Sequence, residues 1–279
     1  MRKRWLASFV IFLCFTAFFY INNHWIAISE YEIQSDNLPS DFSGMKVVHL
    51  SDLHDAAFGG KQKRIIQKVK KENPDFIFFT GDLIDSNRYD LTNSLHVIEG
   101  LANIAPVYCV LGNHEVASNQ VNEIVQALQK RGAAVLQNEA LTIERNSQEI
   151  VIGGIDDPLM RISEQQDEKT IVKSNVERTF HHLDEQKFKL LLSHRPEFFG
   201  VYADQNIDVV FSGHAHGGQI RLPFVGGLFS SGQGWLPKFT SGVYTFQLTN
   251  MVVSRGLGNS HVPFRIFNFP EIVVVTIKR

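Results

Sequence analysis

The chain has 279 residues, 44% of them hydrophobic, enough to bury the core of one large domain with an appendage. Its formal net charge is −2, so the strongly positive balance of a non-specific nucleic-acid binder is missing. Two cysteines cannot build a disulfide framework, and Cys14 and Cys109 both fall in apolar runs as packing residues.

Arg2, Lys3 and Arg4, in an n-region at 1–4, precede a stretch from 5 to 21 that holds no charged residue. Extended to residue 28, it reaches the roughly 20 apolar residues that a bilayer core requires. Trp5, Tyr20 and Trp25 are available as interfacial aromatics. A cleaved signal peptide is the competing reading, but no small-x-small cleavage site follows the run. Three cations before the span, with Glu30, Glu32, Asp36 and Asp41 after it, predict a cytoplasmic N-terminus and an extracytoplasmic remainder. Residues 5–28 are therefore read as an uncleaved transmembrane anchor. Residues 29–44 are read as a linker that ends in a first short strand, and 45–279 as the main domain.

Apolar runs at 47–50, 76–80, 107–111, 190–192 and 209–211 predict buried strands. The segment 64–69 is amphipathic at helical spacing and stops before Pro74, a second helix at 91–98 closes near Gly100, and a third covers 121–130 with Gly132 as its stop. Beyond Gly132 short strands alternate at 141–144, 150–152, 242–247, 251–254 and 272–277. Residues 161–183 read as a polar loop leading into a surface helix, and 217–242 as a long Gly, Ser and Pro-rich loop. The order predicts two sheets packed face to face with helices outside.

Each of the five buried runs is followed at once by metal-ligand residue types. These are Asp52-Leu53-His54, Gly81-Asp82, Gly112-Asn113-His114-Glu115, Ser193-His194 and Gly213-His214-Ala215-His216. In open α/β sheets ligands sit beyond the carboxyl ends of the strands, so residues scattered over half the chain converge on one volume. Singly, each motif has an ordinary explanation: an Asp-x-His turn, a Gly-Asp turn, a helix N-cap at Asn113. Together they predict a metal-dependent enzyme, and the Asn113 carbonyl suits a hard, oxygen-preferring cation.

The series D-x-H, G-D, G-N-H-E, a lone His and G-H-x-H resembles the calcineurin-like metallophosphoesterases. The resemblance implies an α/β (α+β) fold, a four-layer αββα sandwich, preceded here by the transmembrane helix. It implies two divalent ions (Mn, Fe or Zn), which affinity order alone does not separate. Asp52, His54 and His216 would bind the first, Asn113, His194 and His214 the second, and Asp82 would bridge both. A bridging hydroxide would then attack phosphorus in line. His114 would stabilise or protonate the departing oxygen, with Glu115 orienting it.

Asp85, which completes G-D-x-x-D, is read as a structural hydrogen-bonding carboxylate. Arg195 is read either as a substrate-phosphate contact or as a packing arginine, and Asp156-Asp157-Pro158 as a turn. Residues 254–259 and 263–265 resemble the closing signature of a bacterial, membrane-anchored branch. That branch includes exported phosphodiesterases and UDP-diacylglucosamine pyrophosphatases. Arg255 and Asn259 would there reach substrate, the alternative being a glycine-stabilised turn. The expected activity is hydrolysis of a phosphodiester, monoester or pyrophosphate bond in an envelope- or lipid-linked substrate. The alternatives are a non-catalytic metal-binding or scaffolding module on the same fold, and a catalytic domain on the cytoplasmic face.

Overall fold

Side chains of a strand alternate between two faces, and here both faces of the central strands are apolar. Residues 2–164, 166–260 and 262–279 are described in this computed structural model; Met1 and the side chains of residues 2 and 3, which fall in the n-region at 1–4, lie outside the described residues. In chain order the first half holds α1 (Arg2–His24), β1 (Ala27–Gln34), β2 (Met45–Leu50), α2 (Lys63–Glu72), β3 (Phe76–Thr80), α3 (Leu91–Ala102), β4 (Val107–Val110), α4 (Asn113–Ala117), α5 (Val121–Lys130) and β5 (Ala133–Val135). The second half holds β6 (Glu139–Arg145), β7 (Gln148–Gly154), α6 (Glu168–Phe180), β8 (Phe188–Leu192), α7 (Phe199–Asp204) and β9 (Val209–Ser212). Two miniature hairpins follow, β10 (Arg221–Leu222) with β11 (Gly226–Gly227) and β12 (Phe229–Ser230) with β13 (Gly234–Trp235), before β14 (Gly242–Phe246), β15 (Thr249–Val253) and β16 (Glu271–Lys278).

One six-stranded sheet has the order β1-β16-β2-β3-β4-β5, and the other β14-β15-β9-β8-β7-β6. Strands β2, β3, β4 and β5 run parallel, as do β7, β8, β9 and β15. Alternation then sorts the side chains into three cores. Ile77 and Phe79 face the layer built by Ile65, Leu95 and Ile124 of α2, α3 and α5. Phe76 and Phe78 turn the other way, into a shared layer with Leu190, Phe211 and Val252 of the second sheet. Leu191, Val210 and Met251 pack outward on Val172, Val176 and Tyr202 of α6 and α7. The result is the four-layer αββα sandwich that the strand order predicts. The parallel strands carry their motif residues at one end of both sheets.

Three local readings change. The helix stops at His24, and residues 27–34, divided by the sequence between span and linker, form β1, paired along its length with β16. As an edge strand with Ile33 its sole fully buried side chain, β1 lacks the apolar run that marks the inner strands. Helix α3 runs two residues past Gly100, where a Cβ would lie 2.2 Å from Ile66 Cδ1 on α2. That glycine permits helix contact and is no stop. The 217–242 segment holds the two hairpins within its loop.

Among the described residues one helix, over Arg4–His24, is long and apolar enough to cross a membrane, with a mean hydropathy of 1.9. Between the sheets Phe211, fully buried, stacks edge-on to Phe78 at 5.0 Å. Phe211→Ala should lower unfolding free energy by about 3–5 kcal/mol through the lost transfer and the cavity. Leu248→Ala, at a side chain 86% exposed, should stay within about 0.5 kcal/mol. Urea unfolding of the two variants checks this.

Candidate metal centre

The backbone leaves β2, β3 and β9 by uncommon turns. Asp52, His54, Asp82, His214 and His216 all adopt left-handed φ, between 47° and 64°. Such conformations are costly for residues with a Cβ and gather where a site requires them. Cross-strand hydrogen bonds hold these turns. The Asp52 amide donates to the Gly81 carbonyl at 3.0 Å, and that of His54 to the Asp82 carbonyl at 3.1 Å. The His214 amide donates to the Asp52 carboxylate at 3.1 Å, tying the second sheet to the first. Gly81 (φ 89°) sits at the crowded centre, where a Cβ would fall 2.6 Å from the Gly112 nitrogen and 2.8 Å from His194 Nδ1.

The structure brings two donor sets side by side. Ligand atoms of Asp52, His54, Asp82 and His216 lie within 4.8 Å of one another, and so do those of Asp82, His194 and His214. Asp82 belongs to both: its Oδ2 is 3.5 Å from His54 Nε2 and 3.2 Å from His194 Nε2. Asn113 Oδ1 joins the second set, 3.1 Å from His194 Nε2. His54 and His216 point their Nε2 atoms at each other across 3.0 Å, while the Nδ1 of each is buried without a hydrogen-bond partner among the described residues.

Burial governs the charges. It pushes His54 down to about 3 and His214 and His216 well below the usual histidine range, so their ring nitrogens offer lone pairs. Burial also opposes charge on His194, but Asp82 and Asp52 outweigh it and lift that ring to about 10. Asp52 is pushed up to about 7 by burial, whereas Asp82 is held well below its usual value by His194 and His54 despite burial. Three neutral imidazoles, the His194 ring, two carboxylates and an amide oxygen converge in a donor set that fits divalent transition cations. The Nδ1–H of His194 is aimed at the Thr80 carbonyl (2.7 Å), the outer-shell contact that orients a ligating imidazole.

Around this core each remaining motif residue has a place. The Glu115 carboxylate accepts the amides of Gly112 (2.7 Å), Asp82 (2.9 Å) and Ile84 (3.1 Å), so it locks the turn that carries Asp82. His114 takes its orientation from Ser86, whose amide donates to Nδ1 at 3.1 Å, while Nε2 meets Ser260 Oγ at 3.2 Å. Arg195 is buried behind His214: its Nη1 is 3.2 Å from His214 Nε2, and Asp157 grips it at 2.6 and 3.1 Å. Arg255 pairs with Glu271 at 2.8 Å, and Asn259 accepts from Arg265 Nε at 3.0 Å. Asp85 accepts from Arg88 and from the Asn87 amide.

The sequence does not flag Ser86, Ser260, Asp157 in its grip on Arg195, or Glu197, and it marks Arg265 only as part of the closing signature. Glu197 lies 4.0 Å from His214, and its position two residues after Arg195 is the one available signal. Arg265 is fully buried and donates to the carbonyls of Arg255 and Gly258, pinning the closing segment. That segment lies directly on the first motif. The Gly258 amide donates to the Asp52 carbonyl at 2.6 Å, and a Cβ on Gly258 would stand 2.0 Å from the Leu53 carbonyl oxygen.

The family model of the calcineurin-like phosphoesterases matches residues 45–218. The metallophosphoesterase YkuE of Bacillus subtilis is 30% identical over 265 residues, covering 93% of this chain and 88% of that protein. The phosphodiesterase YaeI of Escherichia coli is 25% identical over 240 residues, covering 83% and 82%. A transmembrane protein with a metallophosphoesterase domain from Danio rerio is 28% identical over 261 residues, covering 90% and 57%.

Glu115→Gln replaces a three-fold acceptor with a group whose NH2 must face a backbone amide. The variant should lose about 1–3 kcal/mol of stability. The carboxamide oxygen takes the place that accepts Gly112 and Asp82, so the Ile84 amide faces the NH2 and should exchange with solvent faster than in the wild type, read by hydrogen-exchange mass spectrometry or NMR.

Proposed function

Because the chain belongs to the calcineurin-like phosphoesterase family, hydrolases that act on phosphoester bonds, we propose that it hydrolyses its substrate at a dinuclear centre bridged by Asp82. The observation that carries this reading is the sharing of the Asp82 carboxylate between two adjoining donor sets. Asp52, His54 and His216 would hold one ion, and Asn113, His194 and His214 the other. A pair of divalent ions supplies neutralisation of the phosphate charge and a water acidic enough to serve as nucleophile near neutral pH.

The chain's own groups have separable tasks. Accepting the Ser86 amide at Nδ1 leaves the proton of the His114 ring on Nε2, the atom facing the crevice beside Ser260. His114 is thus placed to donate to the ester oxygen as the P–O bond breaks and charge develops there. Arg195, gripped by Asp157, orients His214 from behind, and Glu115 holds Asp82 in its left-handed turn. In this assignment Arg195, Arg255 and Asn259 act through other residues, since each is occupied by a partner of its own.

The helix α1 would anchor the enzyme, and three cations at its start against Glu30 and Glu32 after it favour a catalytic domain outside the cytoplasm. An envelope- or lipid-linked phosphoester is the substrate class that this location favours. Alkaline phosphatase fused to the C-terminus should be active, and a fusion active only with a cytoplasmic reporter would reverse the topology.

Asp82→Ala or His214→Ala should lower Mn-dependent hydrolysis of bis(4-nitrophenyl) phosphate by at least about 100-fold, given that outer-shell changes alone cost 10–100-fold. Full activity in either would overturn the assignment. Metal loading should also weaken as pH falls. The His194 ring, raised to about 10, holds its proton in the metal-free chain at neutral pH, so a cation bound at that nitrogen must displace it. Calorimetric titration with Mn2+ at pH 7 in two buffers of different ionisation enthalpy should report proton release.

A further inference from the structure

Helix α1 does more than lead into the domain. Phe12, Phe15, Thr16, Phe19, Tyr20 and Asn23 recur at three- and four-residue spacing, so they stand on one stripe of the helix. That stripe faces a groove of about 800 Å³ whose far wall is formed by residues 56–58 and by Leu257, Pro263 and Phe264. The groove is predominantly apolar and falls in the size range of pockets that enclose a small molecule.

Its position is fixed by contacts at the helix end. Asn23 Oδ1 accepts from Asn259 Nδ2 at 3.0 Å and from the Arg265 amide at 2.9 Å, and Arg64 donates to the His24 carbonyl at 2.7 Å. Phe18 and Phe19 meet Phe267 and Phe264 edge-on, with ring centroids 5.3 and 5.8 Å apart. Two side chains of the apolar helix thus touch the closing segment, and Trp25 and Phe267 beside them are exposed. The groove opens where a membrane-spanning α1 would leave the bilayer. Its inner end shares Ala56, Asn259 and Pro263 with a polar pocket lined by His54, Asp55, Arg88 and Asp90. Arg88, bonded to Asp85 and to the Asn259 carbonyl yet 58% exposed, is the cation there. An apolar trough at the membrane therefore runs into a polar pocket whose wall is His54 of the first donor set.

We propose that this groove holds the alkyl or acyl chain of an amphiphilic phosphoester, so that α1 forms one wall of the substrate site and the phosphate is carried past Arg88 to His54. The inference rests on the hydrolytic reading above and names the substrate class. It also gives the closing segment a purpose: Arg265 and Asn259 hold groove, helix and Asp52 turn in one register.

The test uses the full chain in lipid nanodiscs, loaded with Mn2+, and a series of 4-nitrophenyl alkyl phosphodiesters from methyl to octyl. Each methylene buried in the groove is worth roughly fourfold, so KM should fall by at least about tenfold across the series. Partition into the nanodisc lipid also favours long chains, and Ala57→Trp separates the two, since it fills the groove and leaves partition unchanged. The variant should bring the octyl-to-methyl ratio of kcat/KM close to that of partition alone. A second readout is independent of turnover: an alkyl phosphonate with a tail diazirine, cross-linked and mapped by mass spectrometry.

Adducts on Phe15, Phe19, Ala57 or Phe264 support the groove. Adducts confined to Val10, Cys14 and Ile21 on the opposite face of α1 show bulk lipid contact and overturn it. Turnover with the same chain-length profile in both proteins overturns the groove and leaves the hydrolytic reading standing. Groove adducts without turnover of any ester, methyl included, overturn the hydrolytic reading instead.

Discussion

The carboxylate of Asp82 is the group on which the crevice depends. It stands at the end of β3, the strand beside β2 and β4 in the first sheet, in a left-handed turn that a carboxylate side chain enters at a cost. Three things hold it there. Glu115 accepts its amide from below, the His114 amide donates to its Oδ1 at 2.9 Å, and His54 and His194 lie close to its Oδ2 from either side. Remove the charge on that oxygen and neither histidine set keeps a reason to converge.

A buried concentration of carboxylates and imidazoles is unfavourable by itself, because desolvation of each charge exceeds what an isolated pair recovers. The sandwich offsets this through its layered cores. Phe78 and Phe211 clamp the sheets together, so the motif turns emerge from a closely packed layer. Strain at the five left-handed residues of these turns can then be kept as preorganisation for a cation. The second layer of contacts (Thr80 on His194, Asp157 through Arg195 on His214, Ser86 on His114) fixes which ring nitrogen faces the crevice.

Which parts of this were legible in the sequence follows from how each residue is placed. Asp52, Asp82, Asn113, His194 and His214 come within three residues of a buried apolar run, so strand position alone put them at one end of the sheets. The αββα arrangement was legible for the same reason, since inner strands are apolar on both faces. Edge strand β1 was not, because Ile33 is its one buried side chain and Glu30, Glu32 and Gln34 are exposed, so it carries no apolar run. Glu115 was visible as an acidic neighbour of His114, but its role under the Asp82 turn comes from a helix of five residues that no periodicity announces. Gly100 read as punctuation and proved to be a contact. The stripe on α1 was hidden for a different reason: in a segment where nearly every residue is apolar, a face that meets protein looks the same as one that meets lipid.

The closing segment joins these observations. Gly256-Leu257-Gly258 lies on the Asp52 turn, Ser260 meets His114, Asn259 and Arg265 hold the end of α1, and Phe264 lines the groove. One stretch of chain therefore couples the crevice to the apolar helix, and a chemistry general to many phosphoesters acquires a direction of approach. The central claim remains the sharing of one carboxylate by two cations. Anomalous diffraction from crystals grown with Mn2+, recorded at the manganese edge, tests it directly. The account predicts two peaks flanking the Asp82 carboxylate, one beside Asp52, His54 and His216, the other beside Asn113, His194 and His214. A single peak, or peaks remote from Asp82 in an active enzyme, would contradict it.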